Sequence, residues 1–240
     1  MKLMKPGQVP ARVKRAIQRC WPDGVVEEFD ESESYFQEIR DALRADLIGI
    51  RGVSVLHEAP DRAVTHWDDD DEELEPPADY WQSYDVFFLA LKGDDFEFES
   101  EADAGPEFED QDAEPVQGRG WYGCVVAISL AAPVAAIQFS EYSEFEDGSS
   151  SIPDLHSGSY SAETGEAADP EVEYRKALGD VAFEKLSGLR TSIAAILTRR
   201  KVVVLEPAIL SALAPGLTAD TDVFVAEPLT VRDAFFFHGA

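Results

Sequence analysis

The sequence predicts an α+β fold, a mainly antiparallel sheet of about six to eight strands packed against a long C-terminal-half helix and an N-terminal helix. Three observations carry that expectation. Two long β-type runs, "WYGCVVAISL" (121–130) and "VAAIQFSEYSEFE" (134–146), flank "AAP" and should pair antiparallel near the sheet centre. A stretch from about 171 to 198 holds apolar residues at helical spacing. The order of elements (helix, several strands, long helix, strand, short helix) is not the strict strand–helix alternation of a parallel sheet. With 240 residues, 45% of them hydrophobic, the chain can fill one substantial core.

From the N-terminus, residues 1–22 form a basic segment, followed by a single α+β domain over 23–240. In "ESYFQEIRDALRADL" (33–47), Phe36, Ile39, Leu43 and Leu47 recur at helical spacing with charges between them. "VSVLH" (53–57) and "RAVTHW" (62–67) read as a hairpin around "EAPD". An acidic loop occupies 68–79. "DVFFLALK" (85–92) is a buried strand, and "GDD" turns the chain into "FEFESE" (96–101), whose alternation puts Phe96 and Phe98 inward and acids outward. A second acidic loop covers 101–118, and Gly118, Gly120 and Gly123 allow a bulge or close packing. Residues 147–170, rich in Ser, Gly and acid without periodicity, read as a flexible loop. The long helix should then bury Leu178, Val181, Leu189, Ile193 and Ile196 or Leu197, with Arg199, Arg200 and Lys201 near its C-terminal dipole. "VVVLE" (202–206) is a strand, "PAILSALAPG" a short helix starting at Pro207, and "DVFVAEP" (222–228) another strand. The closing "TVRDAFFFHG" is too apolar to remain in water.

Charge is the most distinctive property. The chain has 48 acidic and 20 basic residues, a formal net of −28. Such a field disfavours direct binding to nucleic acid or to an anionic membrane and accelerates encounter with a cationic partner. Adaptation to salt would spread the acids evenly, and they are not even. Residues 66–75 and 94–114 contain 18 acids and no Lys or Arg. The first 20 residues reverse the sign, with Lys2, Lys5, Arg12, Lys14, Arg15 and Arg19 and no acid. Like-charge runs are usually solvated loops or interaction segments. Aromatics interleave with them: Trp67 before the first run, Tyr80, Trp81 and Tyr84 after it, and Phe96, Phe98 and Phe108 within the second. Acids beside aromatics are the ingredients of a steered interface. The candidate partner-binding residues are therefore Trp67, Asp68, Asp69, Asp70, Asp71, Glu72, Glu73, Trp81, Glu107, Glu109, Asp110 and Asp112.

Catalytic chemistry finds no comparable support. His57 and His66 with Asp68–Asp71 could offer nitrogen and oxygen ligands, but "HEAPD" lacks the second histidine of HExxH, and the acid runs lack the calcium-loop pattern. Asp154, His156 and nearby serines fall in the flexible loop, where a triad would not be held rigid. "GRGWYG" lacks the spacing of a dinucleotide-binding turn. Forty-eight acids always include some pair at catalytic separation, and nothing singles one out. No metal or cofactor is assigned. Cys20 and Cys124, far apart and outside any CxxC, suggest a reducing cytoplasm, and no apolar run reaches the length of a signal peptide or membrane span.

In character, though in no motif, the acidic aromatic pattern is similar to that of bacterial immunity proteins, which neutralise toxins, and of acidic DNA mimics. The expected function is a cytoplasmic binding or inhibitor protein that neutralises a basic protein partner, such as a toxin or a nucleic-acid-binding enzyme. Two other readings stand beside it. One is an enzyme, for instance a metal-assisted hydrolase, with an unfamiliar site. The other is a scaffold in which the basic N-terminus of one copy meets the acids of another. The sequence leaves the oligomeric state open.

Overall fold

The apolar run 121–130 and its partner from 134 onward become the centre of a seven-stranded sheet, because β-rich residues on both faces need cover on both sides. In the computed structural model the described residues are 9–27, 37–58, 81–102, 115–146, 148–151, 170–214, 216–220, 228–236 and 238–239. In chain order they form α1 (Ala11–Cys20), β1 (Val25–Val26), α2 (Gln37–Ile48), β2 (Val53–Glu58), β3 (Trp81–Gln82), β4 (Tyr84–Leu91), a 3-10 turn (Asp94–Phe96), β5 (Glu97–Ala102), β6 (Val116–Ser129), β7 (Val134–Phe145), β8 (Ser150–Ser151), α3 (Pro170–Arg199), β9 (Val203–Leu205), α4 (Pro207–Leu210), β10 (Thr218–Ala219) and β11 (His238–Gly239). The fold is α+β, as the sequence predicts.

β6 and β7 pair antiparallel from Gly118↔Phe145 to Ile128↔Ala135. β4 lies against the C-terminal half of β6 (Tyr84↔Ser129 to Ala90↔Gly123), and β5 against its N-terminal half (Glu97↔Trp121 to Ala102↔Val116). The Gly93–Asp95 segment therefore offsets the chain without reversing it. Gly93, at φ 130°, and the 3-10 turn carry β4 into β5 end to end along one neighbour. β2 pairs antiparallel with β4. Its expected hairpin partner, 62–67, lies outside the described residues, as do 152–169 of the expected flexible loop and 222–227 of the expected strand. β9 adds a parallel pairing to β7 (Val134↔Val203 to Ala136↔Leu205), which the sequence order did not predict.

Two apolar layers sandwich the sheet. Against one face, α2 and α3 bury Leu43, Leu47, Phe183, Leu186 and Ile193 on Phe87, Leu89, Val126, Ile128 and Ile137. Against the other, α1 and the C-terminal segment bury Val13, Ile17, Trp21, Val231, Phe235 and Phe236 on Val86, Phe88, Val125 and Ala127. Apolar residues of the basic N-terminal segment thus belong to the core, and the Trp21 indole fixes them by donating from Nε1 to the Ala234 carbonyl at 2.9 Å. Shortening Phe87, Phe88 or Phe235 to Ala costs about 3–5 kcal/mol at sites of this burial.

α3 departs from the predicted periodicity at one point. Val181, expected on the buried side, is 75% exposed. Gly179 interrupts the helix at φ 75°, ψ 162°, and in the stretch beyond it Val181 lies about 140° round the helix from Leu186, on the solvent side. After the break the buried stripe is Ala182, Phe183, Leu186, Leu189, Ile193 and Leu197. Among the described residues no helix is long and apolar enough to cross a membrane.

Candidate functional site

The strand register divides the sheet into two ends. At one, the β6–β7 connection (130–133) sits beside the start of β4, with Leu130 N donating to Ser83 O at 2.8 Å. At the other, β5 ends at Ala102 and β6 begins at Val116, level with the C-terminal part of β7.

Alternation along three adjacent strands gathers acids and aromatics on one face of that second end. β5 contributes Glu97, Glu99 and Glu101, which stand opposite Trp121, Arg119 and Gln117 of β6. β7 adds Tyr142, opposite Trp121, and Glu144, opposite Arg119. Contacts confirm that these side chains share a face. Arg119 pairs with Glu97 and lays its guanidinium 5.4 Å over the Trp121 ring. Gln117 donates to Glu101 at 3.1 Å, and the Tyr142 hydroxyl donates to Glu144 at 3.3 Å. Trp121 and Tyr142 stack with centroids 6.0 Å apart at 28°, while His57 of β2 and Phe88 of β4 lie 6.0 and 5.5 Å from the Tyr142 ring.

Four carboxylates (Glu97, Glu99, Glu101, Glu144) share this face with the Arg119 guanidinium, which Glu97 pairs, beside stacked aromatic rings. Glu99, Glu101, Arg119 and Glu144 are exposed, and Trp121 is half-buried. Burial pushes the Tyr142 phenol above its ordinary range, so it stays a neutral donor at physiological pH. The arrangement can accept guanidinium or ammonium groups on its carboxylates and offer Trp121 as a flat apolar surface.

The opposite face of the same strands is structural. Phe98 rests on Tyr122 (4.7 Å), and Tyr122 meets Tyr174 of α3 edge-on at 6.0 Å. There Glu141 is pushed above the ordinary carboxylate range by desolvation and then by Glu173, and burial raises Tyr174 strongly.

Of the predicted partner-binding residues, Trp67, Asp68, Asp69, Asp70, Asp71, Glu72, Glu73, Glu107, Glu109, Asp110 and Asp112 lie outside the described residues. Trp81 is in β3, where its backbone pairs with Gly239 of β11. The second acidic run is described in part: Asp94 and Asp95 form the exposed 3-10 turn, where Asp95 meets Lys185, and the three glutamates of β5 supply the face above. Phe96 is buried, as its sequence context predicts, and Phe98 is half-buried. Of the metal-ligand candidates, His57 joins the aromatic stack while His66 lies outside the described residues, as do Asp154 and His156 of the triad reading. Among the described residues no group of three or more His, Cys, Asp or Glu is placed to hold a metal ion. Both thiols are pushed up to about 12 by burial, which makes them poor nucleophiles near neutral pH.

No family model, curated protein or solved structure matches the chain.

Proposed function

We propose that the protein is an acidic binding protein that docks on, and neutralises, a basic protein partner, with the Glu97–Glu99–Glu101–Glu144 face as part of its docking surface. The observation that carries this reading is the union of exposed carboxylates with Trp121 on three hydrogen-bonded strands. Carboxylates held on a sheet need little ordering when a cationic partner arrives, so the entropic cost of binding stays small. The half-buried Trp121 supplies the apolar centre on which such interfaces depend. A toxin or a nucleic-acid-binding enzyme, whose cleft presents Lys and Arg, has the chemistry this face would fill.

The test must separate the face from the global charge of −28. Association with a synthetic Arg- and Lys-rich peptide carrying one tryptophan is followed by stopped flow at low and moderate salt. The variant Glu99→Lys/Glu101→Lys is compared with Asp23→Lys/Glu27→Lys, an equal charge change at exposed positions beside α1 and β1. The proposal expects roughly tenfold slower association for the first variant and a much smaller change for the second. Equal slowing of both would show that only net charge matters and would remove the face from the interface.

A further inference from the structure

The other end of the sheet carries the reverse charge. A cleft of about 670 Å³ opens between α1, the β6–β7 connection and the junction of α3 with β9. Its cations are Arg12, Arg15, Arg19 and Lys201. The three arginines recur at helical spacing on the solvent side of α1, while Val13 and Ile17 anchor the opposite stripe in the core. The Cys20 thiol ties the end of α1 to this region by donating to the Ala131 carbonyl at 3.1 Å. Beneath the cations the floor is apolar, formed by Ala16, Pro133, Val134 and Val203.

Two observations separate this cleft from an ordinary basic surface. First, among the described residues the lining contains no acid and none of the four cations makes an ion pair, although the chain has 48 acids. Elsewhere Arg44, Arg119, Arg175, Arg190, Arg199 and Arg200 all meet carboxylates. Second, Lys201 occupies the left-handed position (φ 65°) that closes α3. Val202 N donates to Leu197 O and Lys201 N to Thr198 O, both at 2.9 Å, the pairing of a Schellman cap. Glycine is the favoured residue there, and a side chain costs on the order of 1 kcal/mol. The chain bears that strain at a residue that lines the cleft.

We propose that this cleft binds a small organic phosphate of about nucleotide size, its charged groups on Arg12, Arg15, Arg19 and Lys201 and its apolar body on the floor. The volume lies in the range of small-molecule sites, roughly 300–1,000 Å³. Guanidinium forks suit phosphate oxygens, and four cations match a multiply charged ester better than a lone carboxylate. A long nucleic acid would have to extend past the cleft into the field of a chain with net charge −28. A compact ligand avoids that repulsion. The inference is independent of the acidic face.

Calorimetric titration of the full chain with ADP, inorganic pyrophosphate and adenosine tests it. ADP should bind more tightly than either part, with affinity that falls as salt rises. Arg15→Ala/Arg19→Ala, at two exposed positions, should weaken ADP roughly tenfold or more at unchanged melting temperature. Lys201→Asn, which tolerates the left-handed backbone, should weaken it without loss of fold. Failure of ADP and pyrophosphate to bind at millimolar concentration would overturn the proposal, as would ADP affinity that the arginine variant leaves unchanged. Equal affinity for pyrophosphate and ADP would remove the apolar floor from the site. A synthetic peptide of residues 66–77 that binds the cleft in preference to ADP would reassign it to the acidic run of another copy.

Discussion

Replacing Gly120 by Ala places a methyl group where the Phe98 ring lies. A Cβ there would sit 2.2 Å from Cε2 and Cζ of Phe98 and 2.7 Å from Cε1. Carbon atoms in contact prefer about 3.5–4.0 Å, so the ring must withdraw by more than about 1 Å. Phe98 is half-buried and has room to move, but moving takes it off Tyr122, whose centroid is 4.7 Å away. Loss of that pair costs about 0.5–1.5 kcal/mol, and residual overpacking about 1–3 kcal/mol. Removing glycine from a strand returns about 0.5–1 kcal/mol, leaving a net loss of about 0.5–4 kcal/mol. Urea denaturation followed by circular dichroism reads this as a lower midpoint at constant slope. The decisive comparison is the same substitution in a Phe98→Ala background, where the clash is absent and Gly120→Ala should be neutral or slightly stabilising. An equal loss in both backgrounds would refute the ring-on-glycine account. At Gly123 the added Cβ would meet the Leu89 carbonyl oxygen at 2.5 Å as well as the Phe88 ring. Backbone cannot swing aside, so Gly123→Ala should cost more than Gly120→Ala.

The placement of Val181 on the solvent side of α3 predicts that Val181→Lys leaves the denaturation midpoint nearly unchanged, whereas Leu186→Ala, at a fully buried site, lowers stability by about 2–5 kcal/mol; comparable losses would contradict that placement. Asp46 of α2 accepts hydrogen bonds from Arg200 (2.9 Å) and Arg199 (3.2 Å), and these hold its carboxyl below the ordinary range, with the Arg200 bond the largest cause. A depressed folded-state pKa stabilises the fold above the unfolded-state value, near 4, and that contribution is lost as pH falls through the folded-state value. Melting temperatures of the wild type and Asp46→Asn should therefore differ at pH 7 and converge in strong acid; a constant gap down to pH ~2 would remove the coupling. With thiols at about 12, Cys20 and Cys124 should react with a disulfide reagent at pH ~8 far more slowly in the native chain than in denaturant, and a native rate equal to that of a free thiol would refute their burial.

The fold class and most elements were legible because the signals behind them are local. Apolar runs of ten residues, a turn between them and helical spacing in 182–197 depend on near neighbours, and the structure keeps them. What was not legible depends on partners distant in sequence. Gly93 appeared as a turn, yet only the shared neighbour β6 shows that β4 and β5 run end to end. Val181 fits an i, i+3 step from Leu178, but beyond Gly179 the stripe is set by Leu186, Leu189, Ile193 and Leu197, and Val181 lies about 140° round the helix from Leu186. The acidic face was half visible: "FEFESE" announces an alternating acidic strand, but its union with Trp121, Tyr142 and Glu144 requires the registers of β5 and β7 on β6. In the sequence Arg12, Arg15 and Arg19 belong to a basic run, and Lys201 complements the helix dipole. Their meeting across 182 residues of chain, from Arg19 to Lys201, has no sequence signature.

The two charged sites could oppose one another, since an acidic face should repel an anionic ligand. Distance decides the matter. From Arg119 on the acidic face, β6 runs on to Ser129 and the cleft begins just beyond, at Ala131. At about 3.3 Å per residue, that path is roughly 35–40 Å. The Debye length at physiological ionic strength is about 8 Å, so charges this far apart are largely screened through solvent. Repulsion between the described carboxylates of the face and an anion in the cleft is therefore small compared with the attraction of four cations within the site. At low ionic strength, around 0.01 M, the Debye length grows to about 30 Å and the two ends come within reach of each other. Anion affinity in the cleft then has two opposing salt terms: direct attraction to the cations, which strengthens as salt is removed, and repulsion from the distant face, which appears only at the lowest salt. Measured against salt, the logarithm of the ADP affinity should flatten below about 0.02 M, and Glu99→Lys/Glu101→Lys should restore the steeper rise. A flattening that this variant leaves in place would assign the low-salt repulsion to acids other than those of the face.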